Sequence, residues 1–310
     1  MEFLIENHSS FPCSAAAAGA VPVEDLLTAR AQIDEVVHVQ ERAGLDIVTD
    51  GQVRWPDPVS YVMGALEGVR LDGPVPYLGT ERSMRQPVIT AAVRRRAAVV
   101  CGDFVVARHA AWMRVKPVLP GPYTLARLSR IESGPYRDVT ELAHALSEVL
   151  ALEVRDLVAA GAQLIQIEEP ALLSHPEDVR LVRQVLEPLW AARGSAQLML
   201  ATYFGDAEPL YAQLNSVPAD VVAFDLASSK QLAAVIADTG ASKILALGVV
   251  DGRSAQLESP KALARQIEAM LRRYTLDTVH LQPSCGMHYL SPETARAKLD
   301  LLGDVRAMLQ

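Results

Sequence analysis

The chain has 310 residues, half of them hydrophobic, enough for one large domain with a sizeable core. Lys and Arg number 29 against 37 Asp and Glu, and the net charge of -8 excludes the clustered positive charge that grips nucleic acid or an anionic membrane. Cys13, Cys101 and Cys285 are few, odd in number and far apart, which fits a reducing cytoplasm better than a disulfide framework.

The opening MEFLIENHSSFPCSAAAAGA has no basic n-region and no continuous apolar stretch, so no signal peptide is expected there. No apolar run approaches the roughly 20 residues that a membrane span needs. What recurs instead is a short β-rich run, a polar tip and a longer helical pattern. Strands are predicted at Phe3 to Ile5, Leu45 to Asp50, Trp112 to Gly121 and Gln163 to Glu169. Four more follow at Gln197 to Tyr203, Asp220 to Asp225, Lys243 to Asp251 and Thr278 to Cys285. Amphipathic segments lie between most of them, at about 23–43, 176–192, 209–214, 230–238, 259–273 and 291–309. The clearest sets Leu142, Leu146, Val149, Leu150, Val154, Leu157 and Val158 on one helical face and closes on Gly161 as a C-cap. Alternating strands and helices imply parallel pairing with right-handed crossovers, and eight such units imply a closed (β/α)8 TIM barrel.

Residues 51–111 break the rhythm, separating the second and third strands by far more than one helix. The stretch contains WPDP, DGPVPYLG and RQPVITAAV and is read as an insertion after strand 2, with a helix and a small β-hairpin lying as a lid over the barrel. The whole chain, 1–310, is read as one domain. Arg94 to Arg96 is read as a solvated helix face or a salt-bridged segment.

Chemistry in such a barrel sits at the C-terminal ends of the strands. Those ends offer His8 and Ser10, Asp50 and Gln52, Tyr123, Glu168 and Glu169, Tyr203, Asp225, Asp251 and Arg253, then Cys285 and His288. The ring is rich in carboxylates and holds one thiol, as a polar small-molecule site would. Glu168 and Glu169 together need a cation or partner to relieve their repulsion. The run Trp55 to Pro58 reads either as part of the mouth or as a rigid turn. His38, His109, His144 and His175 lack ligand spacing and are read as structural.

In order and spacing, SSFP, GLDIVTDGQVRWPDPVSY, LPGPYTLARL, LIQIEEPAL, LGVVDGRS and LQPSCGMHYLSPETARAKL resemble the cobalamin-independent methionine synthase family. The resemblance covers nearly the whole chain, at the length of the short single-barrel members. It implies a methyl or alkyl transferase in which zinc holds a thiol such as homocysteine and lowers its pKa, so that the thiolate attacks. The implied methyl donor is a folate or a methylcorrinoid protein.

The family's zinc ligands carry over unevenly. Its His-x-Cys pair after the fifth strand falls on Ala201 and Tyr203, its Glu after the sixth on Asp225, and its last Cys on Cys285. Cys285 and Asp225 are two ligands where catalytic zinc takes three, and His288 is the candidate third. The acid expected after DG is Gln52, and the histidine expected after the seventh strand is Arg253. Glu168 keeps a carboxylate where the family contacts the substrate's amino group, and Ser10 keeps its place at the carboxylate-binding turn. TYFGD, LGVVDGR and PSC followed by a histidine resemble the zinc-free N-terminal barrel of the two-barrel enzyme.

Two readings follow. The first is an enzyme acting on a small thiol with an altered or absent zinc site. There Glu168 holds a cationic group, Arg253 a carboxylate or phosphate, and Tyr203 or Asp225 moves a proton. Ser10, Asp50, Gln52, Arg54, Trp55 and Tyr123 contact the substrate. The second is an accessory barrel that binds the methyl donor and partners a separate zinc-bearing barrel.

Overall fold

A computed structural model describes residues 1–12, 26–274 and 276–310, so Cys13 and the start of the first predicted helix lie outside the described residues. The described chain runs β1 (Glu2–Ile5), α1 (Leu26–Arg42), β2 (Ile47–Val48), α2 (Pro58–Gly64), β3 (Leu66–Pro76), β4 (Ser83–Arg95) and α3 (Cys101–Ala110). It continues with β5 (Arg114–Val115), β6 (Val118–Pro120), α4 (Pro122–Arg127), β7 (Arg130–Ile131), α5 (Val139–Ala159), β8 (Leu164–Glu168) and α6 (Val179–Ala192). The last third holds β9 (Gln197–Thr202), α7 (Tyr211–Leu214), β10 (Val221–Asp225), α8 (Leu232–Thr239), β11 (Ile244–Val250), α9 (Pro260–Leu271), β12 (Thr278–Pro283) and α10 (Pro292–Leu309).

Seven strands form a parallel sheet in the order β1-β12-β11-β10-β9-β8-β6. The ring closes through β2, which pairs with β5 and meets the end of β1 in a parallel bridge between Glu6 and Ile47. The result is the predicted (β/α)8 barrel. The third predicted strand divides into β5 and β6 because it changes partner midway. Lys116 donates its N–H to Val48, whereas Pro117, which has no N–H, accepts from Gln166.

Both faces of these strands are covered, as parallel sheets require. Leu164, Met199, Ala201, Val221, Ala223 and Ala246 fill the barrel interior, while their odd-even neighbours Ile165, Leu198, Leu200, Val222 and Phe224 pack outward under the helices. α5 shows how a helix is seated. Asp138 accepts the Glu141 N–H at its start, and Leu142, Leu146, Leu150, Val154 and Leu157 are buried along one stripe. Each such leucine contributes about 1.5–3 kcal/mol. Gly161 ends the helix at φ 96°, a left-handed position that suits glycine.

The hairpin of β3 and β4 is larger than predicted, with strands of 11 and 13 residues, and β7 joins it as a third strand alongside β4. Gly68 is required at its bulge, since φ is 80° and a Cβ would lie 2.5 Å from the Ala92 carbonyl oxygen. The stretch predicted as insertion also contains α3, which packs beside α1 as an ordinary member of the helical ring. Arg95 ends β4, rather than lying on a helix, and reaches Glu153 and Asp156 at 2.6 Å each. Among the described residues no helix is long and apolar enough to cross a membrane.

Candidate active site

The alternation that seats the core also aims the site. In β8 the inward series Leu164 and Gln166 ends on Glu168, and in β9 Met199 and Ala201 lead to Tyr203. Glu168 is 2 % exposed. Its Oε2 accepts from the Tyr203 hydroxyl at 2.9 Å, its Oε1 accepts from Gln166 Nε2 at 3.0 Å, and His8 Nδ1 lies 3.3 Å from Oε1. Burial alone would raise this carboxyl, but His8 and Tyr203 overcome it and hold Glu168 below the usual range. The Tyr203 phenol moves the other way: burial and the Glu168 charge push it well up, so it stays a donor. His8 Nδ1 also meets Ser9 Oγ at 3.0 Å, and its ring stands edge-on to Tyr203.

The hairpin reaches this group. Tyr77, in the turn between β3 and β4, is buried and sets its hydroxyl 3.2 Å from that of Tyr203. Phe204, held at φ 66°, packs edge-on against Tyr77, Tyr203 and Tyr289. From the same turn Arg82 donates to the His288 carbonyl and lies over the Tyr289 ring.

A second cluster joins the two ends of the described chain. Ser10 Oγ and His288 Nδ1 are 2.6 Å apart, and the Met287 N–H donates to the Ser10 carbonyl at 3.0 Å. Gly286 makes the approach possible, because a Cβ there would sit 2.2 Å from Ser10 Oγ. Burial, with Arg82 nearby, lowers the His288 imidazole to about 4.

The residues after β2 divide between two tasks. Asp50 is buried, and desolvation together with the Asp103 charge pushes its carboxyl up to about 7. Gln52 stands at φ 52° with its buried Nε2 unpartnered among the described residues. Arg54 and Trp55, predicted to contact substrate, converge on Asp103 at the start of α3, with Arg54 Nη1 2.7 Å from Oδ1 and Trp55 Nε1 3.4 Å from Oδ2. Tyr61 donates to the same carboxylate at 2.6 Å and stacks on Trp55. Asp57 caps α2 by accepting the Ser60 N–H at 2.6 Å, so the WPDP run is a helix-starting turn.

Two further residues turn away from the mouth. Glu169 accepts the N–H groups of Tyr123 and Thr124 at 3.0 and 2.7 Å, capping α4, although burial lifts its carboxyl to about 7. Tyr123 sends its hydroxyl to Asp178 at 2.7 Å, outside the Glu168 group.

Asp225 is engaged at both oxygens, by the Ser228 N–H at 2.9 Å, the Ser228 hydroxyl at 2.6 Å and the Phe204 N–H at 3.3 Å. Cys285 is fully buried, and burial followed by the Asp225 charge pushes its thiol well up, away from thiolate. Arg253 lies over the Phe204 ring at 4.9 Å with 39 % of its side chain exposed, at the solvent edge of the site. These donors do not fit zinc. Among the described residues no three His, Cys, Asp or Glu side chains gather into a group able to hold a metal ion, and His288, the predicted third ligand, is bonded to Ser10 instead.

Beneath the site lies a cluster with no sequence motif to announce it. Glu6, at the end of β1, is fully buried 2.9 Å from Lys116 Nζ and 3.2 Å from His280 Nδ1. Burial would raise the Glu6 carboxyl, yet Lys116 and His280 bring it down to about 2. Inward placement on strands is the one signal that could have found these residues. Tyr77 has no such signal, because only the folded hairpin brings it to Tyr203.

Comparisons with known proteins give a family and a fold. The model described as "Cobalamin-independent synthase, Catalytic domain" matches residues 16–307. A methionine synthase of Saccharolobus solfataricus is 31% identical over 289 residues, covering 91% of this chain and 85% of its own. The methionine synthase of Sulfurisphaera tokodaii is 27% identical over 285 residues, covering 91% and 82%. A B12-independent methionine synthase from Shewanella sp. W3-18-1, solved in complex with selenomethionine, superposes with a TM-score of 0.84 at 20% identity, covering 98% of this chain and 97% of that one. A methyltransferase from Methanosarcina mazei gives a TM-score of 0.67 at 15% identity, covering 98% and 93%. The last two likenesses show the fold.

Proposed function

Because the chain belongs to the cobalamin-independent methionine synthase family, we propose that it methylates a homocysteine-like amino acid at a site that works without zinc. It is a methyltransferase of the homocysteine-methylating type. The finer reading is carried by one observation: Tyr203 stands where the resemblance puts the family's cysteine ligand, and its hydroxyl is bonded to Glu168 at 2.9 Å.

Transfer forms a sulfur–carbon bond as the bond between methyl and donor breaks, while the thiol loses a proton and the leaving atom gains one. His8 takes the thiol proton and passes it to the leaving atom. Glu168, 3.3 Å from His8 Nδ1, stabilises the imidazolium that forms in between, and Tyr203 and Gln166 hold Glu168 in place. Ser10 binds the substrate carboxylate, and Gln52 Nε2, unpartnered among the described residues, meets a second polar group of the ligand. Arg253 at the rim offers its planar fork to an anionic group of the donor. Tyr77 and Arg82 close the hairpin over the mouth as a lid.

The test is methionine formation from homocysteine, with methyltetrahydrofolate or methylcobalamin as donor, in the presence of a chelator and beside metal analysis of the same sample. Product formed without stoichiometric zinc is the expected result. Stoichiometric zinc whose removal abolishes activity would overturn the zinc-free reading. Turnover only after a zinc-bearing barrel is added would assign the accessory role instead.

A further inference from the structure

We infer that His288 is a positioning residue: it orients the Ser10 hydroxyl so that the site reads the carboxylate of its amino-acid substrate. The inference rests on the methyl-transfer reading and deepens it. The loop after β12 is fitted to the turn after β1 at three points, the 2.6 Å contact of His288 Nδ1 with Ser10 Oγ, the Met287 N–H on the Ser10 carbonyl, and the close approach at Gly286. Both the ring and the backbone of His288 are held by further contacts. Tyr289 packs 4.2 Å from the ring, and Arg82 of the hairpin donates to the His288 carbonyl.

A neutral imidazole can serve Ser10 in two ways. Protonated at Nε2, it accepts the Ser10 hydroxyl hydrogen and leaves nothing for a ligand. Protonated at Nδ1, it donates to Ser10 Oγ and frees the hydroxyl hydrogen to point at a carboxylate. An anionic ligand selects the second arrangement. His288 therefore touches the ligand only through Ser10. A thiol without a carboxylate gains nothing from the pair.

The experiment compares wild type, His288→Phe and His288→Asn by calorimetric titration with homocysteine and with aminopropanethiol, the same molecule without its carboxylate. Phe keeps a ring against Tyr289, and the Asn amide reaches from the Nδ1 position. Loss of one hydrogen bond predicts about 10-fold weaker homocysteine binding in His288→Phe, little change for aminopropanethiol, and recovery of most of the loss in His288→Asn. Equal weakening for both thiols, or no weakening for either, overturns the inference while leaving the methyl-transfer reading intact. If wild type binds neither thiol, the methyl-transfer reading itself fails and the inference falls with it. Thermal unfolding of each variant separates either result from a loss of fold.

Discussion

Tyr77 and Tyr203 meet hydroxyl to hydroxyl at 3.2 Å although 126 residues separate them. The contact ties the turn of the hairpin to the end of β9, one bond away from Glu168. Tyr77→Phe removes that tie and keeps the ring. One such bond is worth about 1 kcal/mol, so kcat is expected to fall about fivefold with the fold retained. Steady-state kinetics beside circular dichroism would check it, and an unchanged kcat would mean the hairpin does not support the reacting group.

Ala201, Tyr203 and Asp225 stand where the resemblance puts three of the family's zinc ligands, so the set can be restored by substitution. The triple variant Ala201→His, Tyr203→Cys and Asp225→Glu, with Cys285 already present, supplies the four donors that tetrahedral zinc accepts. It is expected to purify with near-stoichiometric zinc while wild type does not, as read by plasma emission. Equal zinc in both proteins would refute the assignment of these positions.

The sign of the Asp50 titration gives a pH prediction. Its carboxyl sits at about 7 in the fold against 3.8 for an ordinary aspartate, raised by burial and Asp103. The protonated acid therefore favours the fold below 3.8, and that advantage is lost as pH rises to about 7. Asp50→Asn does not titrate. Urea unfolding from about pH 4 to about pH 8 is expected to show the variant gaining on wild type as pH rises, by no more than about 1.4 kcal/mol per unit. A constant difference would show that Asp50 ionises normally.

Lys116 and Glu6 form a fully buried pair at 2.9 Å. Lys116→Met leaves a buried carboxylate without its main partner and is expected to cost about 3–5 kcal/mol. Adding Glu6→Gln removes that stranded charge, so the double variant is expected to be more stable than Lys116→Met alone. Simple addition of the two single costs in chemical denaturation would show that the pair is not coupled.

The barrel was legible because its punctuation is local: short apolar runs, polar tips, and helices such as α5 with a cap at each end. Reading the C-terminal ends of the strands then placed Glu168, Tyr203 and Asp225 around the mouth. Their partners were not legible, since they come from distant chain. Asp103 engages Arg54 and Trp55 from about 50 positions downstream, and nothing near WPDP announces it. Lys116 sat unnoticed inside a predicted strand, its charge answered by Glu6 from the first. The third strand's change of partner at Pro117 and the joining of β7 to the hairpin depend on which edges meet, a property no single segment carries.

The pairing of β1 with β12, Glu2 opposite Thr278 through Ile5 opposite Leu281, has a consequence for biosynthesis. β1 leaves the ribosome long before its neighbour has been translated, and until then it keeps an open edge. A nascent chain stalled ahead of Thr278 would carry Ser10, His8 and Glu168 but lack His288, the strand that closes the ring, and the loop that seats the Ser10 turn. The Ser10 turn therefore finds its seat only after β12 and the loop that follows it have been made, which makes the joining of the first strand to the last a late event in the life of the chain.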